Sequence, residues 1–316
     1  MGQRGKRVFL TGGAGFIGAC LARDLIDAGA EVHLALRKES KLWRLAGLEG
    51  LYEPHWADVR DAAGLRQAID ACRPQVIYHL ATHGAYYHQR ERSDIIATNL
   101  TGTANLLDAL EGHDYEALVY TGSSSEYGHK SEPMRPEDRL EPRTDYGVTK
   151  AAATLLCLAE AMKGRPVSVV RVFSAFGPWE EPGRLVPYVV ECCARGENPK
   201  VTAGLQPRDF VSVSDVVDLL KVAAVHPGAR GQILHAGTGR QHTVRDMIET
   251  IVAVCGSGRV TPQFGTEPLR PGEPIHWLAS VERTTGLTGW KPQHDLRSGV
   301  ESMWRWYLQR TGKQAA

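Results

Sequence analysis

Short β-branched runs alternate with longer segments of helical period through the first half of the chain. Val8–Thr11 is an apolar run next to glycines. Phe16–Ala28 then carries Ile17, Leu21, Leu25 and Ile26 at the spacing of one helix face. Glu31–Leu36, Gly50–Ala57, Val76–Ala81, Ala117–Gly122 and Val167–Phe173 read as further strands, and Asp61–Ala71, Asp94–Leu110 and Tyr146–Met162 as helices. Alternation of this kind predicts parallel strands joined by crossover helices, a doubly wound α/β fold.

The pattern changes after Phe176. Prolines and glycines cluster in GPWEEPGR, PRDF and TPQFGTEPLRPGEP, and the strand signals become shorter and more separated. This predicts a first domain over 1–175 and a second, smaller α/β domain over 176–316 that closes over it. Val211–Val225 still reads as a strand and helix of the first kind, so 211–236 is expected to return to the first domain. The sequence holds no internal repeat and no low-complexity segment.

Composition narrows the function classes. With 316 residues, 42% hydrophobic and 23% charged, the chain can bury a sizeable core without staples, and disorder is excluded. Lys plus Arg (37) nearly balance Asp plus Glu (36), for a formal charge of +1. That gives no general attraction to nucleic acid or an anionic membrane, so neither is an expected partner, and any bound anion needs a local basic cluster. Six cysteines (Cys20, Cys72, Cys157, Cys192, Cys193, Cys255) are scattered without CxxC spacing, which predicts reduced thiols and no metal site. No apolar stretch reaches the ~20 residues of a membrane span, and no signal-peptide region precedes the first strand, so a cytoplasmic protein is expected.

Two segments carry the chemistry. Thr11-Gly12-Gly13-Ala14-Gly15-Phe16-Ile17-Gly18 joins the first strand to the first helix. Glycines there let backbone N–H groups approach a pyrophosphate at a helix N-terminus, so Gly12, Gly15 and Gly18 point to a dinucleotide. At the end of the second strand, where an acid would hold the ribose 2′-hydroxyl of NAD, the sequence reads Leu34-Ala35-Leu36-Arg37-Lys38. Cations at that place suit a 2′-phosphate, so NADP(H) is preferred, with NAD(H) the alternative. Asp58, after the third strand, is a candidate acceptor for the adenine amino group. Tyr146 and Lys150, four apart at the start of a helix, share one face, and an ammonium beside a phenol favours the phenolate. The strand before them ends in hydroxyls, Gly122-Ser123-Ser124-Ser125-Glu126-Tyr127-Gly128, at the end of a doubly wound strand where ligands sit.

Together these segments resemble the extended short-chain dehydrogenase/reductases of the nucleotide-sugar epimerase/dehydratase type. The resemblance rests on TGGAGFIG at 11–18, DVRD at 58–61, YHLA at 78–81, NLTGTANLL at 99–107, GSSSEYG at 122–128, YGVTK at 146–150, FGP at 176–178, RDFVSVSDVV at 208–217, RPGE at 270–273 and GLTGWKP at 286–292. It implies a Rossmann sheet for the first domain and a nucleotide-sugar site on the second. It implies Tyr146 as catalytic acid/base, Lys150 as the group that lowers its pKa and holds the ribose, and Ser123, or Ser124 beside it, as the catalytic hydroxyl. The cofactor surface then takes in Phe16, Ile17, Val59, Leu80, Ala81 and Thr82. For the nucleotide sugar the resemblance points to His83, Tyr86, Tyr87, Ser174, Arg184, Arg208 and Arg270. It also implies a homodimer through a four-helix bundle of Asp94–Leu110 and Tyr146–Met162.

The sequence departs from the family's dehydratases, which carry an Asp-Glu pair directly after the catalytic hydroxyl. Here Ser124 and Ser125 stand there and Glu126 comes one place too late, which argues against dehydration. Two reactions at hexose C4 remain. Reduction of an NDP-4-keto-6-deoxyhexose is preferred because Arg37 and Lys38 suit NADPH, and 4-epimerisation is the alternative. A non-catalytic NADP(H)-binding sensor is the reading from another class, opposed by the presence of Ser123, Tyr146 and Lys150 together.

Overall fold

The computed structural model describes residues 2–86, 88–268 and 273–312. Tyr87 and Arg270, two of the expected substrate residues, lie outside the described residues. In chain order the elements are β1 (Arg7–Thr11), α1 (Phe16–Asp27), β2 (Glu31–Leu36), β3 (Glu53–Trp56), α2 (Ala62–Cys72), β4 (Val76–His79), α3 (Arg92–Ile96), α4 (Gly102–Ala109), β5 (Ala117–Ser123), α5 (Asp145–Met162), β6 (Val167–Val172), β7 (Ser174–Phe176) and α6 (Leu185–Arg195). They continue with β8 (Lys200–Val201), β9 (Pro207–Arg208), β10 (Phe210–Ser212), α7 (Val213–Val225), β11 (Ile233–Ala236), β12 (His242–Thr243), α8 (Val244–Cys255), β13 (Gln263–Phe264), α9 (Glu282–Thr288) and α10 (Leu296–Thr311).

Seven strands form one parallel sheet in the order β11-β6-β5-β4-β1-β2-β3. The apolar runs of the strands follow from burial on both faces. Val8 and Leu10 of β1 face a cluster with Leu21 and Leu25 of α1 and Leu219 and Leu220 of α7. Phe9 faces the opposite cluster with Leu65 and Ile69 of α2, Leu106 of α4 and Cys157 of α5. The chain runs outward from β1 through β2 to β3, then crosses to β4 and runs outward the other way. The crevice of this reversal opens at the carboxyl ends of β1 and β4.

A third cluster gathers Val189 and Val190 of α6, Met247, Ile248 and Ile251 of α8, and Val300 and Met303 of α10. Three two-stranded pairs, β7 with β10, β9 with β12 and β8 with β13, serve this end of the chain. After Val213 the chain comes back to the large sheet, where α7 packs on it and β11 pairs with β6. β10 does not join that sheet but pairs with β7.

Two elements differ from the periodicity. The expected helix Asp94–Leu110 is interrupted by a π-helical turn, Ala97–Thr101, which carries Asn99 inward. The third strand is cut from Gly50–Ala57 to Glu53–Trp56, an edge strand with Pro54 in it, where a missing N–H is tolerated. All six cysteines are free thiols.

Candidate active site at the switch point of the sheet

A cleft of about 1680 Å³ begins at the turn after β1, passes the tips of β2 and β3, and continues past β4 and β5 to Arg208, Glu273 and Trp277. Gly12 holds φ +74, a conformation suited to glycine, and its Cα faces the backbone of Leu80 and Ala81. Gly18 lies against the Gly12 carbonyl, where an added Cβ would come within 2.2 Å of the oxygen. These two contacts seat α1 directly behind the turn. No side chain among the described residues caps the N-terminus of α1, so its first N–H groups face the cleft.

The tip of β2 sorts the two expected cations. Arg37 lines the cleft, but Lys38 does not, contrary to its place among the cofactor residues. The Ser40 N–H donates to the Arg37 carbonyl and the Arg37 N–H to the Ser40 hydroxyl, closing a turn with Lys38 at its exposed tip. No acid stands at the strand end itself, although Glu39 also lines the cleft. Asp58 lines the cleft with its carboxylate held by Arg60, whose Nε and Nη2 donate at 3.0 and 2.7 Å. Against the push of burial, the hydrogen bonds and charge of Arg60 keep that carboxyl below its ordinary value. Phe16, Ile17, Val59, Leu80, Ala81 and Thr82 all line the same stretch.

Thr144 caps α5, its hydroxyl accepting the Gly147 N–H at 3.0 Å, and this places Tyr146 in the first turn and Lys150 one turn on. Ser123 is the last residue of β5 and the N-cap of a short 3-10 turn, with its hydroxyl accepting the Ser125 N–H at 3.1 Å. Of the side-chain hydroxyls in the cleft, those of Ser123 and Thr82 bear on the Tyr146 phenol and oppose its upward shift. Ser124 also lines the cleft but is not among them. Lys150 is not among the groups that bear most on the phenol. Burial pushes Tyr146 above its ordinary value, and the groups that oppose burial are the two hydroxyls and Arg184. The Lys150 ammonium instead donates to the Thr121 carbonyl at 2.5 Å and lies 4.3 Å from the centre of the Tyr120 ring. Burial pushes this ammonium down to about 8, with Glu126 opposing.

Asn99 is a site residue that periodicity did not reveal. From the π-helical turn its Oδ1 accepts from the Thr82 hydroxyl (3.1 Å) and the His83 N–H (2.8 Å), and its Nδ2 donates to the His83 carbonyl and the Thr149 hydroxyl, both at 2.9 Å. It thus ties the loop after β4 to α5, and so Thr82 to Tyr146.

The expected substrate residues within the described part line the far stretch of the cleft. The Arg184 guanidinium sits 5.7 Å from the Tyr86 ring centre and pairs with Glu180 at 3.1 Å. Burial pushes Glu180 up to about 7. Arg208 is not a free cation. Its guanidinium pairs with Glu273 and donates to its own Pro207 carbonyl. His83 and Ser174 line the cleft between these arginines and the β4 and β6 tips. Among the described residues no group of His, Cys, Asp and Glu is placed to hold a metal ion, and no helix is long and apolar enough to cross a membrane.

Residues 8–237 match the model of the NAD dependent epimerase/dehydratase family. A probable UDP-glucuronate 4-epimerase of Rhizobium meliloti is 26% identical, with 96% of this chain and 97% of that protein covered. Among solved structures, the epimerase Mth375 of Methanothermobacter thermautotrophicus superposes with a TM-score of 0.87 at 26% identity, covering 98% of this chain and 94% of that one. MoeE5, solved in complex with UDP-glucose and NAD, does so with a TM-score of 0.82 at 27% identity, covering 96% and 99%.

Proposed function

The chain belongs to the NAD-dependent epimerase/dehydratase family, and on that premise we propose that it is a nucleotide-sugar oxidoreductase acting at hexose C4, working as a 4-epimerase. One observation carries the proposal: Tyr146, Ser123, Thr82 and Lys150 line one cleft that runs from a phosphate-binding turn to a group of arginines. The named activities of the epimerase relatives support epimerisation over net reduction.

The cleft fits a dinucleotide. The uncapped N-terminus of α1 faces its near end, and the Thr121 hydroxyl, buried in its wall at the tip of β5, has no hydrogen-bond partner among the described residues. Gly12, Gly15 and Gly18 would hold the pyrophosphate, Arg37 and Asp58 the adenosine end, and Lys150 the nicotinamide ribose. When bound, NAD supplies the acceptor, and then the donor, of the C4 hydride. Tyr146 takes the O4 proton as C4 becomes a ketone and returns it once the sugar presents its other face. Ser123 donates a hydrogen bond to the same oxygen, and Thr82 holds the phenol between the two steps. Residues 176–316 hold the nucleotide, with Arg184 and Arg208 toward its phosphates and His83, Tyr86 and Ser174 toward the sugar. Glu126 is absent from the cleft wall, which supports leaving dehydration aside. A homodimer is part of the reading, supported by exposed Ile96, Val148, Leu155 and Met162 on or beside α3 and α5.

A second reading, NADPH-dependent reduction of a 4-keto sugar, is favoured by Arg37 at a β2 tip that carries no acid. The experiment that separates them offers the protein UDP- and dTDP-hexoses, a UDP-hexuronate and a 4-keto-6-deoxy sugar, with NAD or NADPH, and follows products by proton NMR. Epimers formed without net nicotinamide turnover are expected. Consumption of NADPH with the keto sugar alone would establish the reductase, and no conversion of any sugar would sink both.

A pH dependence follows from Lys150. Its charge, present below about 8, is lost as the pH rises through that value. Dinucleotide affinity of the cofactor-free protein is therefore expected to weaken about tenfold between about pH 7 and about pH 9, as followed by fluorescence titration. Lys150→Met is expected to flatten that dependence.

A further inference from the structure

Behind the wall of the cleft lies a buried polar network with no part in the chemistry described so far. The Glu126 carboxylate accepts the Ser123 N–H at 2.7 Å through Oε1 and the Arg171 Nε–H at 2.8 Å through Oε2. Glu126 is 0% and Arg171 1% exposed. Arg171, on β6, also donates to the Tyr127 hydroxyl and to the Pro136 carbonyl. The His235 Nδ1–H, on β11, is taken by the Ser280 carbonyl at 2.9 Å, so its Nε2 accepts the Tyr127 O–H at 2.6 Å. The chain of contacts thus spans three neighbouring strands and ends on the backbone of Ser123.

We propose that Glu126 is a positioning residue of this site: its carboxylate, anchored by Arg171, fixes the backbone at the tip of β5 so that the Ser123 hydroxyl meets the Tyr146 phenol. The same residue that stands one place too late to reach substrate is thereby turned inward to hold the residue that does. Among the described residues no other side chain holds the Ser123 N–H, and the turn that follows it is closed by this contact as a capping box. A buried ion pair is a poor source of stability but a good source of fixed geometry.

The carboxylate also bears on the reacting groups through its charge. It faces Lys150 and Tyr146 on α5, Tyr120 on β5 and Arg171 on β6, and it holds the phenol and the ammonium of α5 above where they would otherwise lie. Burial pushes Glu126 itself upward, with the Arg171 charge the main opposing influence and the Ser123 N–H the next.

The inference rests on the proposed role of Tyr146 and Ser123, and its test separates the two. In Glu126→Gln, kcat for the sugar conversion is expected to fall about 100-fold, with the KM for nucleotide sugar within about threefold. The whole pH profile is expected to move to lower pH, because a negative charge opposing both deprotonations is gone. A uniform loss at every pH, or a loss confined to KM, would overturn the proposal. Should wild-type protein convert no nucleotide sugar, the reading of the function fails. The positioning claim is then judged on the ultraviolet titration of Tyr146, taken as the difference from Tyr146→Phe in each background. A shift to lower pH in Glu126→Gln supports it and an unchanged titration overturns it. Glu126→Gln/Arg171→Gln, in which neither charge is stranded, serves if the single variant does not fold. Failure of both to fold would show that the pair serves folding and not the site.

Discussion

Tyr146→Phe is expected to lower the rate of sugar conversion by about 10²- to 10⁴-fold, the range for losing a positioned acid/base. The phenyl ring keeps the space of the tyrosine, so only the phenol oxygen, on the cleft wall it shares with Ser123 and Thr82, disappears. Ser123 keeps the Ser125 N–H and Thr82 keeps Asn99, so the change in stability is expected to stay within about 1 kcal/mol, too little to unfold the domain. Dinucleotide affinity should stay within about threefold of wild type, because the phosphate and adenosine contacts lie elsewhere along the cleft. Steady-state rates with an equilibrium titration of cofactor check both parts. Turnover above about a tenth of the wild-type rate would remove Tyr146 from the role given to it here.

Gly18→Ala is expected to act at the other end of the cleft, on binding. Its new methyl group would stand 2.2 Å from the Gly12 carbonyl oxygen and 2.8 Å from the carbonyl carbon, both backbone atoms that no rotamer change can clear. Either α1 moves away from β1 or the turn opens. Overpacking of this kind costs about 1–3 kcal/mol of stability, which a melting curve would register. The larger effect falls on the dinucleotide. Two charge-assisted hydrogen bonds from the displaced turn, at about 1.5 kcal/mol each, amount to roughly 100-fold in Kd. An unchanged Kd would mean that the pyrophosphate does not sit on this turn.

Much of this arrangement was legible in the sequence for a simple reason. A strand such as β1 is buried on both faces, so its apolar run is nearly unbroken, and the helices that pack on the sheet keep one apolar stripe. Tyr146 and Lys150 were legible because their relation lies within a single helix. Relations across the fold were not. Thr82 reaches Asn99, and Arg208 reaches Glu273, only once separate segments are folded together. The inward turn of Asn99 depends on one π-helical turn, a backbone register that no spacing of apolar residues reveals. The separate fates of Arg37 and Lys38 depend on a turn closed by Ser40.

The strand order has a consequence for how the molecule is made. β6 ends at Val172, but β11, the strand that covers its open side, begins at Ile233. During synthesis at ~5–20 residues per second, roughly 60 residues must be added before that cover exists, an interval of about 3–12 s. Through that interval a strand destined to be wholly buried presents unpaired N–H and C=O groups to its surroundings, a template for another nascent chain. The hazard to yield is therefore set by the order in which the chain emerges, and it is greatest in the middle of translation, before a single active molecule exists.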